Sequence, residues 1–272
     1  VRDNNGSEQS NLKPKPDVTV VIPARYGSSR FPGKAIAMLG TKPVIQHVYE
    51  QAAACRAVSE VVVATDDERI QRAVQAFGGQ AVLTSGDLRT GTDRVASVAQ
   101  SRQGRFFLNL QGDEIPADPE LLTGLIEPFI ASGAEMGTLR RALHTAEELQ
   151  NSAVVKVVCD RQGRALYFSR APIPLVRDDP DRRPVKGLHY IHLGVYIYTR
   201  ETLLRLASLP AGALEDGEKL EQLRALDHGI TIRVWDTEHA SLRIDTPADA
   251  SSAAESFRRQ ATNKALETST RL

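Results

Sequence analysis

Apolar residues along the 272-residue chain follow two alternating periods. VTVVI (18–22) is a continuous apolar run, as expected of a strand buried on both faces. PVIQHVYEQAAAC (43–55) spaces Val44, Val48 and Ala52 four apart, which predicts a helix. EVVVAT (60–65) predicts a second strand. DDERIQRAVQAFGG (66–79) opens with acids, sets Ile70, Val74 and Phe77 on one face and closes on glycines, a capped helix. QAVLTS (80–85) predicts a strand, TDRVASVAQS (92–101) a helix, FFLNLQ (106–111) a strand and DPELLTGLIEPFI (118–130) a helix. Strands alternating with helices imply crossover units and a mostly parallel sheet.

After about residue 135 the rhythm changes. AVVKVVCD, the turn RQG and ALYFSR read as a β-hairpin, and HYIHLGVYIYT (189–199) as a longer strand. Two helices follow, RETLLRLASL and EKLEQLRALDHG, then the strand TIRVWD and a last helix from Thr246. The expectation is one α/β domain over 17–260 with a smaller mixed lobe at about 153–230. Residues 1–16 are polar and Pro-bearing and read as a disordered tail, and 261–272 as a frayed end.

Composition narrows the partners. The 34 basic and 34 acidic residues cancel, so nothing in the bulk charge attracts nucleic acid or a membrane surface. No apolar run approaches the roughly 18 residues of a membrane span. No apolar core of a signal peptide stands in 1–16, and a cytoplasmic protein is expected. Cys55 and Cys159 have no metal-type spacing and read as buried thiols.

Charge that matters must then be local, and the loop IPARYGSSRFPGK concentrates it. It follows the first strand, at the end of the strand where open α/β sheets bind ligands. Gly27 and Gly33 permit close backbone approach, Arg25 offers a planar fork and Lys34 a mobile point charge, a combination suited to phosphate. It is not an ATPase P-loop. Five residues separate Gly27 from Gly33 where that motif has four, and Ala35 follows Lys34 where a hydroxyl is required. The GxGxxG dinucleotide spacing is absent too.

The loop resembles the nucleotide-binding loop of sugar nucleotidyltransferases, most closely the cytidylyltransferases that activate 3-deoxy-manno-octulosonate (Kdo). The resemblance covers most of 18–250 through an ordered set: VVVATDDERI, GTDRVA, NLQGDE, VVKVV, ALYFSRAPIP, HLGVYIY, LEQLRAL and IDTPAD. It implies a Rossmann-like nucleotidyltransferase fold, CTP and an acidic acceptor as substrates, pyrophosphate release, Mg²⁺ as cofactor and a homodimer. By resemblance, Arg25 and Lys34 hold the triphosphate, with Ala24, Gly27 and Arg30 beside them. Gly91, Thr92, Arg94 and Gln111 match the nucleotide side, and Asp113 and Asp245 match the metal carboxylates. Arg170, His192, Tyr196, Glu221 and Gln222 match the acceptor side. Taken alone, His192 equally suits a satisfied core position, Glu221 a solvated helix, Asp113 a turn and Asp245 a helix cap ahead of Pro247.

Three departures fall near the expected acceptor pocket. Ile115 displaces the family's proline to Pro116, Arg140 and Arg141 stand where apolar residues are common, and Arg243 stands where the family has glycine. Arginine forks pair with carboxylate or phosphonate, so all three arginines are candidate acceptor contacts. Neighbouring strand residues face opposite ways, so at most one of Arg140 and Arg141 is expected to point at the site. Kdo is the first acceptor implied. A small phosphonate such as phosphonoformate, an 8-amino form of Kdo, and a nucleotide-binding protein without turnover are the alternatives.

Overall fold

The computed structural model describes residues 16–27, 31–179, 183–244, 246, 248, 249 and 253. In chain order β1 (Val18–Ala24) is followed by a 3-10 turn (Lys34–Ile36), β2 (Met38–Leu39), β3 (Lys42–Pro43), α1 (Val44–Ala54), β4 (Glu60–Thr65), α2 (Glu68–Ala76), β5 (Ala81–Leu83), α3 (Gly91–Ser101) and β6 (Phe106–Asn109). Then come β7 (Glu114–Pro116), α4 (Glu120–Ser132), β8 (Met136–Ala142), α5 (Ala146–Gln150), β9 (Lys156–Cys159) and β10 (Ala165–Ser169). β11 (Tyr190–Thr199), α6 (Arg200–Ser208), α7 (Ala213–Glu218), α8 (Gln222–Asp227), β12 (Ile232–Asp236) and β13 (Ser241–Arg243) complete the described elements.

Nine strands form one sheet, ordered β10-β9-β11-β6-β1-β4-β5, with β8 also on β11 and β12 on β8. The half built from β6, β1, β4 and β5 is parallel, as the alternating strand and helix pattern requires. β11 runs antiparallel to both β6 and β8 and joins that half to the β9–β10 hairpin. Every residue of β1 is buried, because both faces of the sheet are covered. Val18, Val20 and Ile22 face a core closed by α1 and α4, whereas Val21 faces a core closed by α3 and α6.

The starts of helices follow local chemistry. The Asp67 side chain accepts from the Arg69 N–H (2.9 Å) to open α2, and Thr90 and Asp93 form a capping box at α3. The expected helix over EKLEQLRALDHG is broken. Lys219 adopts a left-handed φ of 53°, ending α7, and α8 begins only at Gln222. α5 and the small β7–β13 pair were not evident in the apolar pattern. The expected tails and most of the helix expected from Thr246 lie outside the described residues.

Candidate active site

A cleft of about 420 Å³ opens where β1 and β6 end, roofed by the first half of β11. Gly112 sets its floor. A Cβ there would lie 2.9 Å from the Pro23 carbonyl oxygen, so only glycine lets the chain leaving β6 pass this close to the end of β1. Asp113 follows immediately and meets Lys34 Nζ at 2.5 Å. Lys34 arrives through Gly33, whose φ of 72° and N–H to the Tyr26 carbonyl (2.9 Å) turn the loop back on itself. Both partners are largely screened from water, with side-chain exposures of 13% and 25%.

The N-terminus of α3 forms one wall. Gly91 packs beside Gln111, whose Nε2 donates to Asn109 Oδ1 (3.2 Å). Thr92 donates through Oγ1 (2.8 Å) and N–H (3.3 Å) to the Glu221 carboxylate. A helix N-terminus favours an acid there, since its first N–H groups have no partner within the helix. The Tyr198 hydroxyl bonds to Thr92 and Asn109, and burial pushes its pKa well up, so it stays a neutral donor.

The opposite wall is carried by β11. His192 lies beneath the rings of Phe168 and Tyr196, at centroid distances of 4.9 and 5.2 Å. Its Nε2 is 3.1 Å from Thr138 Oγ1, and that hydroxyl donates to the Val195 carbonyl (2.7 Å). The hydroxyl oxygen therefore accepts from Nε2–H, which leaves Nδ1 of the neutral ring as an acceptor. Burial drives the His192 pKa down to about 3, so no imidazolium forms near neutral pH. Gln222 lines the same wall, is 6% exposed, and its Nε2 is buried without a partner among the described residues. Arg170 donates from Nε to the Glu218 carbonyl (2.7 Å) and from Nη1 to the Ser152 carbonyl (3.0 Å), binding two rim segments together.

Of the three unusual arginines, Arg141 and Arg243 line the cleft and Arg140 does not. The expectation of Arg140 as an acceptor contact is corrected. Its guanidinium sits 3.8 Å over the Tyr190 ring and its Nε donates to Asp236 (2.6 Å), on the face opposite to Arg141. Arg141 donates to Glu148 (2.8 Å). Burial opposes ionisation of Glu148, but Arg141 and the N–H groups of His144 and Thr145 outweigh it and hold its pKa below the usual value.

Of the residues expected on the nucleotide side, Thr92 and Gln111 line the cleft, and Lys34 and Gly91 adjoin it through Asp113 and Gln111. Arg94 is fully buried, pairs with Asp66 (2.8 Å) and donates to Thr84. Burial pulls its pKa down against the opposing pull of Asp66, with Arg25 adding to the depression. Arg25 is exposed and donates to the Leu88 carbonyl (2.6 Å), and Ala24 closes β1 as a buried residue. Gly27 is the last described residue before 28–30. Arg30 and Asp245 lie outside the described residues.

Several lining residues escaped the sequence reading: Asn109, Glu114, Tyr198 and Lys219. Asn109 had a visible signal, a polar residue inside the apolar run FFLNLQ. Lys156 had the same signal in VVKVV. It is fully buried, and its ammonium donates to the carbonyls of Asn151 (3.0 Å), Val154 (2.6 Å) and Arg170 (2.7 Å), which shapes the rim.

Among the described residues no group of three or more His, Cys, Asp or Glu side chains is arranged to hold a metal. Asp113 is nonetheless a hard oxygen donor at the strand end. The Ile244 N–H donates to its carbonyl (2.9 Å), which ties the segment leading into Asp245 to it. Mg²⁺ needs only one or two carboxylates when substrate phosphates and water complete its shell, so the donor set fits that ion. No helix among the described residues is long and apolar enough to cross a membrane.

The cytidylyltransferase family model matches residues 19–232. The 3-deoxy-manno-octulosonate cytidylyltransferase of Geobacter sulfurreducens is 48% identical over 240 residues, 86% of this chain and 96% of that one. Its counterpart from Solibacter usitatus is 44% identical over 84% of this chain and 90% of its own length. A solved CMP:2-keto-3-deoxy-manno-octonic acid synthetase complexed with CTP has TM-score 0.83 and 40% identity, covering 90% of this chain and 99% of that one. A cytidylyltransferase from Leptospira borgpetersenii shares the fold at TM-score 0.57 and 16% identity, over 91% and 96% of the two chains. With the family model covering most of the sheet and of the cleft lining, and relatives this similar along most of the chain, the protein belongs to the cytidylyltransferase family of nucleotidyltransferases.

Proposed function

We propose that the protein transfers CMP from CTP to Kdo and releases pyrophosphate. The observation that carries this reading is that one cleft is lined by residues of both substrate sides. Thr92, Gln111 and Asp113, matched to the nucleotide, and Arg170, His192, Tyr196, Glu221 and Gln222, matched to the acceptor, line it together, and Glu221 meets Thr92 directly. The similar proteins named as Kdo cytidylyltransferases supply the identity of the acceptor.

The acceptor hydroxyl oxygen forms a bond to the α-phosphorus as the bond from that phosphorus to the β-phosphate oxygen breaks. The protein's part is alignment and charge neutralisation. Lys34 holds the triphosphate and the charge of the leaving pyrophosphate; Arg25 and Arg30, of the same loop, are assigned to that end by resemblance alone. Gly91, Thr92 and Gln111 bound the nucleoside end. Asp113, with Asp245 by resemblance, would hold Mg²⁺, which would supply Lewis-acid neutralisation of the phosphate oxygens. On the acceptor side the neutral His192 offers an acceptor nitrogen and Gln222 an amide donor without a partner among the described residues, which suits sugar hydroxyls rather than a second full charge.

A small phosphonate acceptor drew its support from three arginines. Arg140 faces away and Arg141 already engages Glu148, which leaves Arg243 as one lining fork where three were expected. Kdo is therefore the reading that the cleft favours. Pyrophosphate release from CTP with Mg²⁺ and Kdo tests it, with Asp113→Asn as the control. Release by the wild type and its loss in Asp113→Asn are expected. No release from the wild type with Kdo would overturn the reading.

A further inference from the structure

Glu221 and Gln222 stand at a turn that local propensity does not dictate. α7 and α8 are six residues each, too short to hold shape alone. Lys219 between them carries a left-handed backbone, a strain that persists only where surroundings over-determine it. The surroundings are a buried ion pair. Arg224 of α8 donates from Nε (2.7 Å) and Nη2 (2.6 Å) to the two carboxylate oxygens of Glu215 in α7. Its Nη1 reaches Asp93 at the start of α3 (3.9 Å). The Lys219 and Leu220 N–H groups both bond to the Glu215 carbonyl, so this residue holds the turn through its backbone as well.

We propose that Arg224 and Glu215 are positioning residues for the acceptor. The pair locks the 219–222 turn against the α3 N-terminus, so that Glu221 meets Thr92 and Gln222 faces the cleft. Neither side chain lines the cleft. The consequence for KM rests on the proposed CTP and Kdo reaction; the consequence for the turn does not.

Arg224→Lys keeps the charge and loses the fork. The double variant Glu215→Leu/Arg224→Met replaces the pair by apolar side chains, which avoids a lone buried charge and keeps the protein folded. In both, KM for Kdo is expected to rise about tenfold while KM for CTP stays within about twofold. Amide hydrogen exchange at Lys219 and Leu220 is expected to quicken about tenfold in the double variant, whatever the acceptor. Unchanged exchange, an unchanged KM for Kdo in active folded variants, or an equal rise in both KM values would overturn the proposal. A wild type inactive on Kdo would instead overturn the proposed function, and the exchange data alone would then decide the role of the pair.

Discussion

Lys34 reaches Asp113 of the cleft lining at 2.5 Å, a cation suited to phosphate beside a carboxylate suited to a metal. Lys34→Met is expected to lower kcat/KM about a hundredfold in pyrophosphate release while leaving the fold intact, since a charge that acts on the leaving group is lost. Full activity in this variant would remove Lys34 from the account. His192 makes a different prediction. Its pKa is about 3 in the folded protein, against about 6.5 for a free imidazole. Between those values the unfolded chain holds a proton that the folded chain lacks. The stability contributed by the neutral ring is thus present above pH 6.5 and is lost as pH falls toward 3, by up to about 1.4 kcal/mol per pH unit. Denaturation of wild type and His192→Asn from pH 7.5 to 5 checks this. The wild type should lose stability more steeply, and parallel curves would contradict a buried neutral histidine.

At the scale of elements, Gly112 joins fold to site. Gly112→Ala places a Cβ against the Pro23 carbonyl and must push the β6 end away from β1. A loss of about 1–3 kcal/mol in denaturant unfolding is expected, with reduced turnover because Asp113 moves too. An unchanged midpoint and rate would refute the close approach. Elements with strong periodicity were legible in sequence: β1, α1, β4, α2 and α3 fall where their apolar spacing puts them. The break at Lys219 was not, because EKLEQLRALDHG is a good helical sequence and tertiary contacts, those to Glu215 and to α3, interrupt it. The β7–β13 pair was hidden for a similar reason, being three residues matched across a long stretch of chain. In the site, family motifs located part of the cleft lining, such as Thr92, Gln111, Asp113, His192 and Glu221, but not the partners of these side chains. Alternation announced that Arg140 and Arg141 must diverge, and only the packing of Tyr190 and Asp236 decided which one turned away.

Across the whole molecule, the parallel half of the sheet carries the phosphate loop and Asp113, and β11 brings in the acceptor wall. On the proposed reading, the antiparallel turn of the topology at β11 is what would set two substrates face to face. The homodimer implied by resemblance remains a proposal, and the molar mass in solution decides it. The central claim concerns which acceptor the cleft serves. The most direct measurement is ³¹P NMR of the product formed from CTP and Mg²⁺ with Kdo and phosphonoformate in equal amounts. A single new phosphodiester resonance, with pyrophosphate in equal yield, is predicted. A phosphorus anhydride joining CMP to the phosphonate, with Kdo untouched, would contradict the account.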